Sequence, residues 1–186
     1  MNNMLTILRK MLSVAQEWGA IPYVPKVKWL KVPPNRFDLL LFEEADRLMA
    51  AADSEWRAMI TLALKTGLRL DELLALKWDD VDLVAGRLVV SRNLSRGEIT
   101  TPKNGKTREI PLGDDVLVSL KRHRHLRGEV VFCQPDGRMF TKGETKHPLK
   151  RACKRAGLRQ IGWHVLRHTF ASHLVMRKAP IKAVQS

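Results

Sequence analysis

Cysteine is nearly missing from this chain of 186 residues, which holds only Cys133 and Cys153. Two are too few for a disulfide framework and these lie too far apart for a paired metal or redox motif, so both read as buried free thiols. Long apolar runs are also lacking. None approaches the roughly 20 residues of a spanning helix, and Asn2, Arg9, Lys10, Gln16 and Glu17 interrupt the N-terminal segment, so no membrane partner is expected and the protein reads as cytoplasmic. No repeat or low-complexity tract occurs, which excludes a solenoid or a disordered tail. Acid is scarce as well. Against 33 Lys and Arg stand 19 Asp and Glu, a formal net charge of +14 with a pI near 10.3, and that balance favours a polyanionic partner, nucleic acid before a membrane surface.

What is present is one domain of ordinary size and a fragment of another. Residues 1–20 carry Met4, Leu5, Leu8, Met11, Leu12, Ala15 and Trp18 at helical spacing, an amphipathic stripe in want of a partner. Residues 21–36 follow as a linker. Pro22, Pro25, Pro33 and Pro34 exclude a helix there, and Lys26, Lys28 and Lys31 make an extended basic strap, equally a solvated connector or a crossing over a nucleic acid backbone. From 37 to 186 the pattern is mainly helical with a small antiparallel sheet. Helices are predicted over 42–52, from an Asp53 or Ser54 cap to Gly67, from an Asp114 cap through Leu120, over 149–156, and from Trp163 onward. Residues 87–91 are β-rich. The pair Asn104-Gly105, set between β-suited runs at 98–102 and 107–111, predicts a hairpin with Lys103 at its tip, solvated or functional. The run Lys121-Arg122-His123-Arg124-His125-Leu126-Arg127 reads as a wet cationic face.

Two stretches carry candidate chemistry. In Thr66-Gly67-Leu68-Arg69-Leu70-Asp71-Glu72, Gly67 suits the left-handed stop of one helix and the two carboxylates suit the first turn of the next. Arg69 thus sits at an elbow, with Glu72 three residues on and able to take its guanidinium. Either a structural ion pair or an arginine held ready for an anion fits that pattern. In Trp163-His164-Val165-Leu166-Arg167-His168-Thr169-Phe170, His164 and Arg167 share a helix face suited to an oxyanion, while Leu166, Phe170 and Leu174 form the buried face. His164 and His168 at i, i+4 lack the partnering glutamate of a zinc helix, and Arg167 beside them repels a cation, so no metal is expected. His168 and His173 read as packing or surface histidines.

Taken together, Gly67-Leu68-Arg69-Leu70-Asp71-Glu72-Leu73, Lys103 at its turn, and His164-Val165-Leu166-Arg167-His168-Thr169-Phe170-Ala171 resemble, in order and spacing, the tyrosine recombinase or phage integrase family. The resemblance covers residues 37–186 as a catalytic domain, with residues 1–20 as the last helix of a mostly absent core-binding domain. It implies the recombinase catalytic-domain fold, mainly α with a small antiparallel sheet, and site-specific recombination on double-stranded DNA by protomers acting as a tetramer. Arg69 and Arg167 would clamp the scissile phosphate, Lys103 would be the general acid at the leaving 5′ oxygen, His164 an acid-base group near the nucleophile, and Glu72 the support of Arg69. No cofactor is implied. In the family a tyrosine attacks to form a 3′-phosphotyrosyl link, yet the single tyrosine here, Tyr23, lies in the linker ahead of the whole catalytic region. The chain is therefore expected to be a C-terminally truncated recombinase that does not cleave by itself, or alternatively a non-catalytic DNA-binding remnant of an integrase. Lys178 also stands where a helix-ending glycine is expected.

Overall fold

The computed structural model describes residues 2–31, 38–101, 105 and 107–179. The chain divides into two compact units, 1–37 and 38–186. In the first, α1 (Asn2–Glu17) has no buried residue, and Met4, Ile7 and Met11 stand exposed along it. The Asn2 side chain ties its start to the strap, donating to the Leu30 carbonyl and accepting from the Leu30 N–H, both at 3.1 Å.

The second unit is built around α3 (Ser54–Thr66), in which nine of thirteen residues are buried. A helix apolar on all sides is stable only when covered on all sides. That cover comes from α2 (Phe42–Ala51), α5 (Asp114–His123) and α7 (Trp163–Met176), while α6 (Lys146–Arg155) packs on α2 and α3. Leu48, Met59, Ile60, Leu62, Leu73, Leu120, Leu149 and Leu166 are fully buried in the shared core. At α7 the buried face is Trp163, Leu166 and Thr169, with Phe170 and Leu174 only partly covered, so the buried stripe is rotated toward Thr169. The Thr169 hydroxyl accepts from the Leu40 N–H at 3.0 Å, which is what turns a polar residue inward.

Three helix starts share one device. Leu41, Arg69 and Lys77 precede α2, α4 (Leu70–Ala75) and a 3₁₀ turn (Trp78–Asp80), and none has a side chain that can accept at its helix end. Glu44, Glu72 and Asp80 instead reach back to accept from those three backbone N–H groups at 2.8, 2.9 and 3.0 Å, the reciprocal half of a capping box. The two caps expected at 53 and 114 differ from expectation. Asp53 occupies the cap position of α3 without capping, because the Arg155 and Arg151 guanidiniums, at 2.5 and 3.6 Å, hold its carboxylate. Gly113 precedes α5 and Asp114 is its first residue, an acid in the first turn.

Sheet pairing corrects the predicted hairpin. Strands β1 (Val81–Asp82), β2 (Arg87–Val90) and β5 (Arg108–Pro111) form one antiparallel sheet in the order β1-β2-β5, and β3 (Asn93–Ser95) pairs with β4 (Glu98–Thr100) in another. Among the described residues the tight turn is Arg96-Gly97, and Asn104 of the expected turn lies outside them. With Ser95 opposite Glu98 the loop has two residues, and both carry positive φ, 53° and 90°, as a type I′ turn demands. β4 is thereby committed to β3, while β5 lies along β2 with Val90 opposite Arg108. Lys103 belongs to the connection between β4 and β5 and lies outside the described residues. The cationic run at 121–127 is also only half wet, since His123 and His125 turn inward and both contact the Val131 carbonyl, at 2.9 and 3.0 Å.

Candidate phosphate-binding site

The site is built where α3 stops and α4 begins. Gly67 takes φ 65° and donates to the Ala63 carbonyl, closing α3 with a left-handed residue that costs glycine nothing. Two residues on, Arg69 occupies the cap position of α4 while its guanidinium side chain remains 59% exposed. Glu72, 4% exposed, is held on both oxygens. Oε1 accepts from Arg69 Nη1 at 3.1 Å and Arg108 Nη1 at 3.0 Å, and Oε2 accepts from the Arg69 backbone N–H at 2.9 Å and Arg108 Nη2 at 2.7 Å. Burial by itself would raise this carboxyl, but the Arg108 fork and the Arg69 N–H outweigh it and hold Glu72 below the ordinary glutamate range, as a carboxylate.

Helix α7 supplies the opposite wall. His164 is exposed in its first turn, and Arg167, one turn on, is half-buried and donates from Nη1 to the Gly67 carbonyl. Burial pushes the Arg167 guanidinium below its ordinary value, and the positive charges of Arg69 and Arg108 add to the effect against the pull of Glu72. Arg69, His164 and Arg167 line one cleft of about 680 Å³, joined by Lys142, Lys146 and Lys150. Lys142 is tied to Asp71 at 2.7 Å, which fixes the loop before α6 to the first turn of α4. His168 lies against His164, ring centroids 4.3 Å apart, and its imidazole is lowered first by burial and then by His164 and Arg167.

The structure thus brings together Arg69, Glu72, His164 and Arg167, from positions up to 98 residues apart in the chain. Two guanidiniums, Arg69 and Arg108, share one buried carboxylate and Arg167 lies within electrostatic reach of it, so the cluster keeps excess positive charge beside the cleft that Arg69 and Arg167 line. Such an arrangement has the charge and donor geometry suited to a tetrahedral oxyanion. Arg108 was missed from sequence, although a signal existed: strand alternation puts Arg108 on the face of Ile110, the more buried side of β5. Lys142 carried no local signal.

The model of the Phage integrase family matches residues 38–186. Tyrosine recombinase XerD of Shewanella oneidensis is 29% identical over 164 residues, which cover 80% of this chain and 51% of that protein. XerC of Alcanivorax borkumensis is 32% identical over 138 residues, 69% of this chain and 42% of the relative, and the integrase of Salmonella phage P22 is 27% identical over 194 residues, 97% and 48%. The chain spans about half the length of the curated relatives it matches. In fold it is similar to the Tn1549 transposon integrase in complex with transposon right end DNA, with a TM-score of 0.87 at 22% identity over 99% of this chain and 69% of that one. A lambda integrase dimer bound to a COC′ core site gives 0.71 at 24% identity over 97% and 67%. The family match extends over the whole of the unit that carries the arginine cleft, and the chain belongs to the phage integrase family of tyrosine recombinases.

Proposed function

We propose that residues 38–186 bind duplex DNA and activate one backbone phosphate for site-specific strand exchange. The observation that carries this reading is the convergence of Arg69, His164 and Arg167 on one lysine-rimmed cleft. In a phosphoryl transfer, charge gathers on the nonbridging oxygens, and two fixed guanidiniums stabilise it without reorganising at the moment of reaction. Arg69 and Arg167 take those oxygens in this reading. Glu72 orients Arg69, Lys103 protonates the leaving 5′ oxygen, and His164 exchanges a proton on the nucleophile side. The attacking group is a tyrosine whose hydroxyl oxygen bonds to phosphorus as the 5′ oxygen leaves, and the 3′-phosphotyrosyl link stores the bond energy for rejoining, so no ATP is consumed.

The sole tyrosine, Tyr23, precedes the matched region, so the nucleophile comes from outside these 186 residues. Residues 1–20 and 21–36 serve in this reading as the last helix of a core-binding domain and its basic linker. Further protomers act with the chain on DNA, a reading in keeping with the lambda integrase tetramer bound to a Holliday junction, which shares the fold.

Two measurements test the proposal. Fluorescence anisotropy on a short duplex should show binding by the wild-type chain, weakened about tenfold by Arg69→Ala and again by Arg167→Ala, each removing one charge-assisted phosphate contact. Equal affinity in the double variant would refute a phosphate clamp. On denaturing gels the 186-residue chain should form no covalent adduct with DNA, and an adduct mapped to Tyr23 would overturn the placing of the nucleophile.

A further inference from the structure

We infer that Arg108 is a positioning residue that keeps Arg69 free for its anion by occupying Glu72, and that it anchors the start of β5 to the same carboxylate. The inference rests on the phosphate-site reading above. Arg69 and Arg108 touch one carboxylate but use it differently. Arg108 places a parallel fork on Glu72, Nη1 to Oε1 and Nη2 to Oε2, and its side chain is 22% exposed. Arg69 spends only Nη1 there, from the side, and is 59% exposed. A planar fork matched to a carboxylate is the strongest arrangement the two groups can adopt. With that arrangement taken by Arg108, Arg69 cannot turn its own fork onto Glu72, and the rest of its exposed guanidinium is left beside the cleft it lines. Without Arg108, a buried carboxylate would be left two donors short, and the nearest replacement is the rest of the Arg69 guanidinium. Arg69 would then be drawn onto Glu72 and away from the phosphate.

Placement in the fold adds the second part. Arg108 is the first residue of β5 and pairs with Val90 at the end of the β2–β5 ladder. It is also five residues beyond Lys103. The same side chain therefore locks the strand that follows the Lys103 connection to the first turn of α4, where Arg69 begins. A local ion pair between Arg69 and Glu72 would hold α4 alone, whereas the Arg108 fork joins β5 to α4 across 36 residues of sequence.

The test follows the Arg69 and Arg167 guanidinium nitrogens by ¹⁵N NMR in the 186-residue chain during titration with inorganic phosphate, for wild type, Arg108→Lys and Arg108→Met. Arg108→Lys keeps the charge and loses the fork, so it guards against a variant that fails to fold. In wild type both arginines should shift together on binding. In Arg108→Lys the affinity should fall about fivefold or more, with the Arg69 response lost and the Arg167 response kept, and with the thermal midpoint little changed. In Arg108→Met, Glu72 should titrate at higher pH than in wild type, since one of its two neighbouring guanidiniums is lost even when Arg69 turns onto it. Wild-type affinity and an undiminished Arg69 response in Arg108→Lys would overturn the inference and leave the phosphate site standing. Absence of any phosphate response at Arg69 and Arg167 in the wild type would remove the phosphate-site reading, and the inference with it.

Discussion

Gly67 performs three tasks that no other residue can combine. Its φ of 65° ends α3, its carbonyl receives Arg167, and its missing side chain admits Phe170, whose Cδ1 would lie 2.4 Å from a Cβ built at that position. Gly67→Ala therefore adds about 1–2 kcal/mol of left-handed backbone cost to the displacement of a ring in α7. Because Phe170 sits one turn beyond Arg167 on that helix, the displacement reaches the site. We expect denaturant unfolding to show a loss of about 2–3 kcal/mol, together with weaker duplex binding. A loss below about 0.5 kcal/mol would mean that α7 yields at no cost, and that the close approach is unimportant.

At the scale of the element, α7 ends on a residue ill suited to its backbone. Lys178 has φ 59°, its N–H bonds to the Val175 carbonyl and the Ala179 N–H to the Leu174 carbonyl, the two bonds of a Schellman motif usually closed by glycine. The oddity noticed in the sequence is thus a left-handed lysine. Lys178→Gly should raise stability by about 1 kcal/mol in denaturant unfolding, and Lys178→Ala should not. Helix α5 ends differently, through histidines. His123 and His125 share the Val131 carbonyl, and His125 Nδ1 accepts the Arg127 N–H at 3.3 Å. Burial, the Val131 contact notwithstanding, lowers His123 below its ordinary 6.5, with the neighbouring charges of His125 and Arg127 in the same direction and Glu55 opposed. A histidine lowered on folding contributes stability that is complete above its unfolded value and is lost as pH falls below it. The thermal midpoint should therefore drop between about pH 7 and about pH 5, and drop less in His123→Asn, which cannot titrate. Parallel curves for the two proteins would exclude His123 as the cause.

For the whole molecule the dominant quantity is charge. At +14, with Lys142, Lys146 and Lys150 rimming the same cleft as Arg69 and Arg167, duplex binding should release counterions in proportion to the phosphates neutralised. Affinity should fall about tenfold or more between about 50 and 200 mM salt, along a straight line of log affinity against log salt. A flat line would show that the basic surface does not meet the backbone, whatever the arginine cleft does.

Much of this molecule follows from neighbours in the chain. The span of α3 up to Gly67, the Arg69 and Glu72 pair three residues apart, and the common face of His164 and Arg167 all rest on bonds and periodicities within a turn or two, which sequence displays directly. Local chemistry also has rivals that sequence cannot rank. Asn104-Gly105 is a sound turn signal, yet β4 pairs through Arg96-Gly97 because that turn closes the shorter loop, and β5 then finds β2. Asp53 could cap its helix, but Arg155 reaches it from 102 residues away. The same holds at the site. Arg167 meets Gly67 across 100 residues and Arg108 meets Glu72 across 36, contacts that exist only because packing around α3 sets those surfaces side by side. Sequence determined which residues could hold an anion; tertiary structure decided which of them share it, since that depends on the distance between elements and not on the order in which they are joined.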